Sequence, residues 1–240
     1  AFRLIKGWTV DDNIQAPDAA KLAVHWFESK QNEVAAEVAD LFSKYRLSEA
    51  LMAVYKLFWD EFSSWYLEMI KPAYGQGIDR TTYDATLCFL DNLLHLLHPF
   101  MPFITEELWQ QMYERNAEEG ESLMVSALSM DTYVDTAFVA QFEVVKGVIS
   151  NIRSIRLQKN IAQKEPLDLQ VLGENPVAEF NAVIQKMCNL SSITVVESKA
   201  EGASSFMVGT TEYAVPLGNM IDVEAEIARM EAELKHKEGF

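Results

Sequence analysis

Three side chains near the middle of the sequence are of the types that most often transfer protons. His98 stands directly before Pro99, and Glu106 and Glu107 follow a few residues later. General acid–base catalysis needs a partner within hydrogen-bonding reach, and no nucleophile lies near His98 in the sequence. We therefore interpret His98 as a structural histidine. The two glutamates are better explained as first-turn residues of a helix, where the positive end of the helix dipole favours a carboxylate.

The two cysteines, Cys88 and Cys188, are far apart, and each lies within an apolar helical pattern. A disulfide framework or a zinc site needs more cysteines at closer spacing. We predict that both are reduced thiols buried in the core of a cytoplasmic protein. The glycine-rich phosphate loops GxGxxG and GxxxxGKS/T do not occur in the sequence.

Trp59, Trp65 and Trp109 are the side chains best suited to stacking on nucleobases. Trp65 lies in an apolar stripe, and large indole rings contribute most to stability when they are buried. We therefore favour core packing for these tryptophans.

The charge distribution gives a stronger indication of a partner. A formal net charge of −16 argues against a general nucleic-acid binder, because cationic contacts to phosphate dominate such binding. One segment, residues 144–164, nevertheless contains no acid and carries five cations: Lys146, Arg153, Arg156, Lys159 and Lys164. On a continuous helix, a face opposite Val145, Ile149 and Ile152 would hold Lys146, Arg153, Arg156, Asn160 and Lys164.

Solvated helix faces usually mix both signs of charge, and this one does not. We predict that it contacts phosphate, with a merely solvated face as the alternative. Lys44 and Arg46, in a turn between two helices, are a second and weaker candidate.

Apolar residues at helical spacing predict five helices before residue 160. They begin near Asp18, Ser48, Thr81 or Thr82, Thr105 and Asp135, and the second and third end at Pro72 and Pro99. Long helices joined by short connections pack as an antiparallel bundle.

The pattern changes at Pro166. Residues 167–171 alternate as a half-buried strand does, residues 176–189 predict a helix, and residues 193–196, 206–208 and 213–215 predict further strands. After Gly218, a final helix repeats apolar residues at coiled-coil spacing: Met220, Val223, Ile227, Met230 and Leu234. The expected fold is therefore mainly α: an antiparallel helical bundle, then a small α/β domain and the start of a coiled-coil helix.

Three segments resemble one family. Residues 98–109, HPFMPFITEELW, are similar to the HPFxPFxTEELW signature in the anticodon-binding bundle of the class I synthetases for valine, isoleucine and leucine. Residues 59–68, WDEFSSWYLE, with Lys71 and Pro72, look like the valyl version of the preceding helix, although many relatives have a cysteine near Ser63. Residues 216–230, PLGNMIDVEAEIARM, resemble the valyl-specific junction into a C-terminal coiled-coil arm.

The resemblance implies tRNA(Val) anticodon recognition by the C-terminal part of a valyl-tRNA synthetase. Such an enzyme converts ATP, L-valine and tRNA(Val) to valyl-tRNA, AMP and pyrophosphate, with ATP and magnesium bound elsewhere. The HIGH-like and KMSKS-like motifs of its catalytic domain do not occur here. We expect no catalytic residue, metal or cofactor in this chain, and no activity from it alone.

The implied partners are tRNA(Val) and the N-terminal catalytic and editing domains of the same polypeptide. We expect a monomer without a membrane partner, divided into a bundle at residues 1–164, an α/β domain at 165–219 and the start of the arm at 220–240. Two alternatives stay open: the equivalent region of an isoleucyl or leucyl enzyme, and a helical protein-interaction module without an RNA role.

Overall fold

The computed structural model describes residues 1–112, 122–128 and 130–217. Within these ranges the chain is mainly helical and contains a small mixed four-stranded sheet, which confirms the broad fold class. Two compact units are present, Ala1–Phe142 and Glu143–Phe240. The predicted domain limits at residues 164 and 219 stay a prediction. The apolar seam that begins at Met220 lies outside the described residues.

The helices follow the apolar stripes closely, and one short N-terminal helix was not predicted. They are α1 Phe2–Lys6, α2 Asp18–Ser43, α3 Leu47–Lys56, α4 Leu67–Ile70, α5 Arg80–Leu97, α6 Pro102–Met112, α7 Thr136–Gln158 and α8 Asn181–Cys188. A π-helical stretch, Leu57–Tyr66, joins α3 to α4, and a short 3₁₀ turn, Ala178–Phe180, precedes α8.

At two helices the N-cap position is occupied by a residue other than the one at which the helix was predicted to begin. The α5 N-terminus is capped by Asp79, whose carboxylate accepts a hydrogen bond from the Thr82 backbone N–H at 2.8 Å. Thr82 therefore lies inside the helix rather than at its cap. Asp18 lies in the first turn of α2, after Pro17, and does not cap it. At α7 the predicted start near Asp135 is confirmed, since the helix begins at Thr136, and Asp135 also accepts from the Phe138 backbone N–H at 3.0 Å.

The core of the first unit is centred on Phe27 of α2. Its ring lies 5.2 Å from Phe62, 5.0 Å from Tyr66 and 5.1 Å from Phe89, measured between ring centroids. These rings come from α2, the π-helical stretch and α5, so one aromatic cluster joins three elements. The Tyr66 hydroxyl is satisfied by Thr86, at 2.8 Å, as a buried phenol requires.

The sheet belongs to the second unit and has the strand order β2-β1-β4-β3. Its strands are β1 Leu167–Leu172, β2 Leu190–Val196, β3 Ser204–Val208 and β4 Thr211–Val215. β1 and β2 are parallel and are connected through α8, whereas β4 is antiparallel to both β1 and β3. Alternate residues of β1 are buried, as the sequence alternation predicted.

Gly147 of α7 faces β3 closely. A Cβ atom at this position would lie 3.0 Å from Cγ1 of Val208, so a glycine allows the helix to approach the sheet. Across the described ranges, no helix has the length and apolarity needed to cross a membrane.

Candidate nucleic-acid interface

The predicted basic face is not one helical surface, because α7 ends at Gln158. Asn160 takes the left-handed backbone conformation, with φ of +53°, and the Ile161 N–H donates to the Arg156 carbonyl at 2.8 Å. Asn160 and Lys164 therefore lie in the turn that follows the helix. Arg153 is exposed on the last turns of α7, while Asn160 and Lys164 are exposed beyond it.

The prediction that Arg156 contacts phosphate is wrong, because only 1% of this residue is exposed. Its guanidinium donates to the carbonyl oxygens of Ala162 at 2.9 Å, Cys188 at 2.7 Å and Asn189 at 3.3 Å. Burial lowers the pKa of this guanidinium, but an arginine remains charged at neutral pH. The side chain thus holds the protein's own backbone and has no free face for phosphate.

The helical geometry explains this error. Arg156 follows Ile152 by four residues and Ile149 by seven, and such positions share one face of an α-helix. Arg156 therefore belongs to the buried face of α7 and not to its opposite side. Lys146 is also a poorer candidate than expected, because it is largely covered and pairs with Glu143 at 2.8 Å.

A hollow of about 480 Å³ lies where α7 ends. Its walls are formed by Arg153, Arg156 and Leu157 of the helix and by the turn at residues 160–163. Leu157 is 84% exposed. The sequence contained a signal for this feature, since Leu157 follows Arg153 by four residues and therefore lies off the buried stripe of Ile149, Ile152 and Ile155.

The second candidate, the turn that joins α2 to α3, presents a tyrosine between two cations. Lys44 pairs with Asp40 at 2.6 Å, and both Arg46 donors Nε and Nη2 contact the carboxylate of Glu49. Both pairs are exposed, so solvent and salt weaken them. Between them, Tyr45 is 89% exposed and has a φ of +58°.

The residues considered for acid–base chemistry have structural partners. Nδ1 of His98 lies 2.8 Å from the Thr105 hydroxyl, which itself donates to the Met101 carbonyl at 2.8 Å. His98 therefore serves as the donor in this contact, as a structural histidine would.

Glu106 has a different role from the one predicted. Because α6 begins at Pro102, this residue lies beyond the first turn and gains little from the helix dipole. Its carboxylate accepts from the Ser122 hydroxyl at 2.8 Å and the Leu123 N–H at 3.0 Å. Partial burial raises its pKa, but the hydrogen bonds from Gln110, Ser122 and Leu123 outweigh this and leave the pKa below its ordinary value.

One constellation that the sequence did not reveal resembles a hydrolytic triad. His95 Nε2 lies 2.8 Å from the Ser126 hydroxyl, and His95 Nδ1 lies 3.2 Å from the Asp91 carboxylate. The Ser126 hydroxyl, however, donates to the Leu123 carbonyl at 3.0 Å. The serine hydroxyl therefore has a carbonyl acceptor within reach besides the histidine, and we interpret this partly buried group as a structural network.

The cysteine and tryptophan predictions are partly wrong. Cys188 is buried, and burial raises the pKa of its thiol to about 12. Cys88 is exposed and does not lie in the core. Trp109 is buried and Trp65 packs against Phe142, but Trp59 is 59% exposed. Trp59 is therefore not a core residue.

Comparison with protein families identifies the domain that carries both candidate segments. A family model described as the anticodon-binding domain of tRNA ligase matches residues 24–171. The chain belongs to this family of anticodon-binding domains. The match includes the turn at Lys44 and Arg46, the residues around His98 and the whole of α7.

Relatives of this anticodon-binding domain occur in valine–tRNA ligases. The ligase of Bacteroides thetaiotaomicron is 99% identical over 240 residues, and that of Phocaeicola vulgatus is 70% identical over the same length. The ligase of Enterococcus faecalis is 32% identical over 243 residues, which cover 96% of this chain. The chain spans 27% of the length of each of these relatives. The predicted resemblance to valyl-tRNA synthetases is confirmed.

Proposed function

We propose that the chain recognises the anticodon of tRNA(Val) as part of a valine–tRNA ligase. The observation that carries the proposal is 99% identity with such a ligase along the whole chain. The parent enzyme would use ATP with magnesium to join L-valine to tRNA(Val), through catalytic and editing domains elsewhere in a cytoplasmic, monomeric polypeptide. The chain alone would position RNA without activating valine.

The proposed architecture assigns an antiparallel anticodon-binding bundle to residues 1–164 and a small α/β domain to residues 165–219. Residues 220–240 would begin a coiled-coil arm. The family match over residues 24–171 supports the first assignment. The mixed sheet built from β1 to β4 supports the second.

The chemistry of the codons defines what the domain must read. Valine codons begin with GU, so every valine anticodon ends in adenine and cytosine, while its first base varies. Unpaired loop bases are recognised by stacking on aromatic rings and by hydrogen bonds to their edges. The exposed turn at Lys44, Tyr45 and Arg46 offers a ring and two cations for this purpose.

Three exposed polar residues, two of them cations, form the second proposed contact, on the last turns of α7 and in the turn that follows it. We retain Arg153, Asn160 and Lys164 as candidates because each is exposed. Arg156 is removed from the set because it is buried, and Lys146 is given less weight because it is largely covered. Arg153 and Lys164 would contact the RNA backbone and contribute affinity rather than base identity.

The test is binding of tRNA(Val) transcripts with single anticodon substitutions at physiological salt. Replacing the adenine or the final cytosine should weaken binding on the order of tenfold, because a good hydrogen-bonded contact to a base edge contributes ~1–3 kcal/mol of discrimination against the wrong base. Replacing the variable first base should have little effect. Equal binding of all transcripts, or loss of all binding at this salt concentration, would instead favour the protein-interaction module.

The role of Arg153 is tested by the salt dependence of the same binding. Arg153→Ala should reduce the log–log slope by roughly 0.7–0.9 if one phosphate contact is lost. Arg80→Ala is the matched control, since Arg80 is also exposed and belongs to the first unit, outside the set of candidate contacts. An unchanged slope for Arg153→Ala would mean that this arginine is only solvated.

A further inference from the structure

The turn after α7 is held in one conformation by contacts from three directions. The Arg156 guanidinium donates to the Ala162 carbonyl at 2.9 Å, and the Asn189 amide donates to the Gln163 carbonyl at 3.1 Å. Ile161 is buried between them. Since these contacts fix the backbone, the side chains of Asn160 and Gln163 stand beside the hollow without further ordering of the turn. A preformed site loses less entropy when a ligand binds.

The hollow combines three kinds of chemistry in a volume of about 480 Å³. Arg153 supplies positive charge, Leu157 supplies an apolar surface, and Asn160 and Gln163 supply amide donors and acceptors. Among the residues that the structure describes, no carboxylate lines the hollow, although the chain as a whole is strongly acidic. Charge and polarity therefore favour an anionic ligand that also has an apolar face and a polar edge.

We propose that this hollow binds one unpaired nucleotide of the RNA partner. The base lies against Leu157, its edge meets the amides of Asn160 and Gln163, and its phosphate meets Arg153. A nucleotide inside a duplex does not fit this description, because its base faces are stacked and its pairing edge is occupied. Arg156 is a positioning residue here, since it fixes the turn and only 1% of it is exposed. The inference rests on the proposed function and names the part of the RNA that this site takes.

The test compares two charge insertions on exposed apolar residues of the second unit. Leu157→Glu places a carboxylate in the hollow, whereas Val195→Glu places one on β2, where Val195 is also exposed and does not line the hollow. Leu157→Glu should weaken binding of a tRNA(Val) transcript by roughly tenfold or more, because like charges at an interface are strongly unfavourable. Val195→Glu should change it less than about twofold.

A chemical footprint of the bound transcript identifies the nucleotide. Some nucleotides should be protected from the footprinting reagent when the unmodified chain is bound but should react with it when Leu157→Glu is bound. The proposal requires these nucleotides to be unpaired in the tRNA. Equal effects of the two variants, or loss of protection confined to paired stems, would overturn the inference. Leu157→Ser, which adds no charge, should lose the same protection, and circular dichroism checks that each variant is folded.

The two proposals fail in different ways. Only the proposed nucleotide site is wrong if the unmodified chain distinguishes the anticodon variants while Leu157→Glu binds the tRNA with the same affinity as the unmodified chain. If the unmodified chain does not distinguish them, the proposed function itself is wrong.

Discussion

A substitution of Arg156 tests whether this residue stabilises the fold. The sequence predicted that Arg156 contacts RNA, whereas in the structure its guanidinium donates hydrogen bonds to backbone carbonyls. Arg156→Met keeps much of the apolar stem but removes the donors to the carbonyls of Ala162, Cys188 and Asn189. Hydrogen bonds from a charged donor contribute about 1.5–3 kcal/mol each, and an unsatisfied buried acceptor costs about 1–3 kcal/mol.

The expected loss is smaller than the sum of these values. Burial of the guanidinium is itself unfavourable, as the lowered pKa of Arg156 indicates, and the variant escapes that cost. The contact to Asn189 is also long, at 3.3 Å. We therefore expect Arg156→Met to lower the free energy of unfolding of the second unit by roughly 2–4 kcal/mol.

Hydrogen exchange measures the free energy of unfolding of the second unit separately from that of the first. Amide protons of β1, such as those of Leu169 and Val171, report opening of the sheet even if the two units unfold separately. Arg153→Met is the matched control, since Arg153 lies three residues earlier and is exposed; it should alter stability by no more than about 0.5 kcal/mol. If Arg156→Met and Arg153→Met had the same small effect, the carbonyl groups would not need the guanidinium and the reasoning would be refuted.

Two further outcomes follow from the fold. Asp79→Ala should lower the free energy of unfolding of the first unit, measured in urea, by about 0.5–2 kcal/mol, because the Thr82 N–H loses its capping carboxylate. Asp84→Ala, on the exposed side of the same helix, should lower this free energy less. Equal losses for the two variants would contradict the capping role of Asp79. A thiol reagent at neutral pH should modify Cys88 in the folded chain but Cys188 only after unfolding, because burial raises the pKa of Cys188 to about 12. Equal labelling rates would contradict the burial.

The sequence predicted the helices well where a long apolar stripe had one interpretation. Phe27, Phe62 and Phe89 belong to three segments that the sequence predicted to be helical, and they meet in one core. Helix ends were less predictable, because several polar residues compete for the cap. At α5 the local sequence offers Asp79 as well as Thr82, and only the backbone geometry selects Asp79.

The candidate site shows a different limit. The acid-free segment at residues 144–164 was recognised from composition, but the point within it where the helix ends and the turn begins was missed. Asn160 carried a signal for that division, since asparagine adopts the left-handed conformation more readily than most residues. The burial of Arg156 was also implied by its spacing from Ile149 and Ile152. Its three carbonyl partners were not predictable, because Cys188 and Asn189 are distant in the sequence.

The acidity of the chain is compatible with RNA binding if the contacts are few and local. A net charge of −16 repels a polyanion at long range, and salt at physiological concentration screens that repulsion beyond about 8 Å. Within that distance the RNA would meet Arg153 and Lys164, with no acid between residues 144 and 164. Such an arrangement suppresses binding of unrelated RNA, because general phosphate attraction is missing. Discrimination would then depend on short-range contacts to unpaired bases, which is the property that an anticodon reader needs.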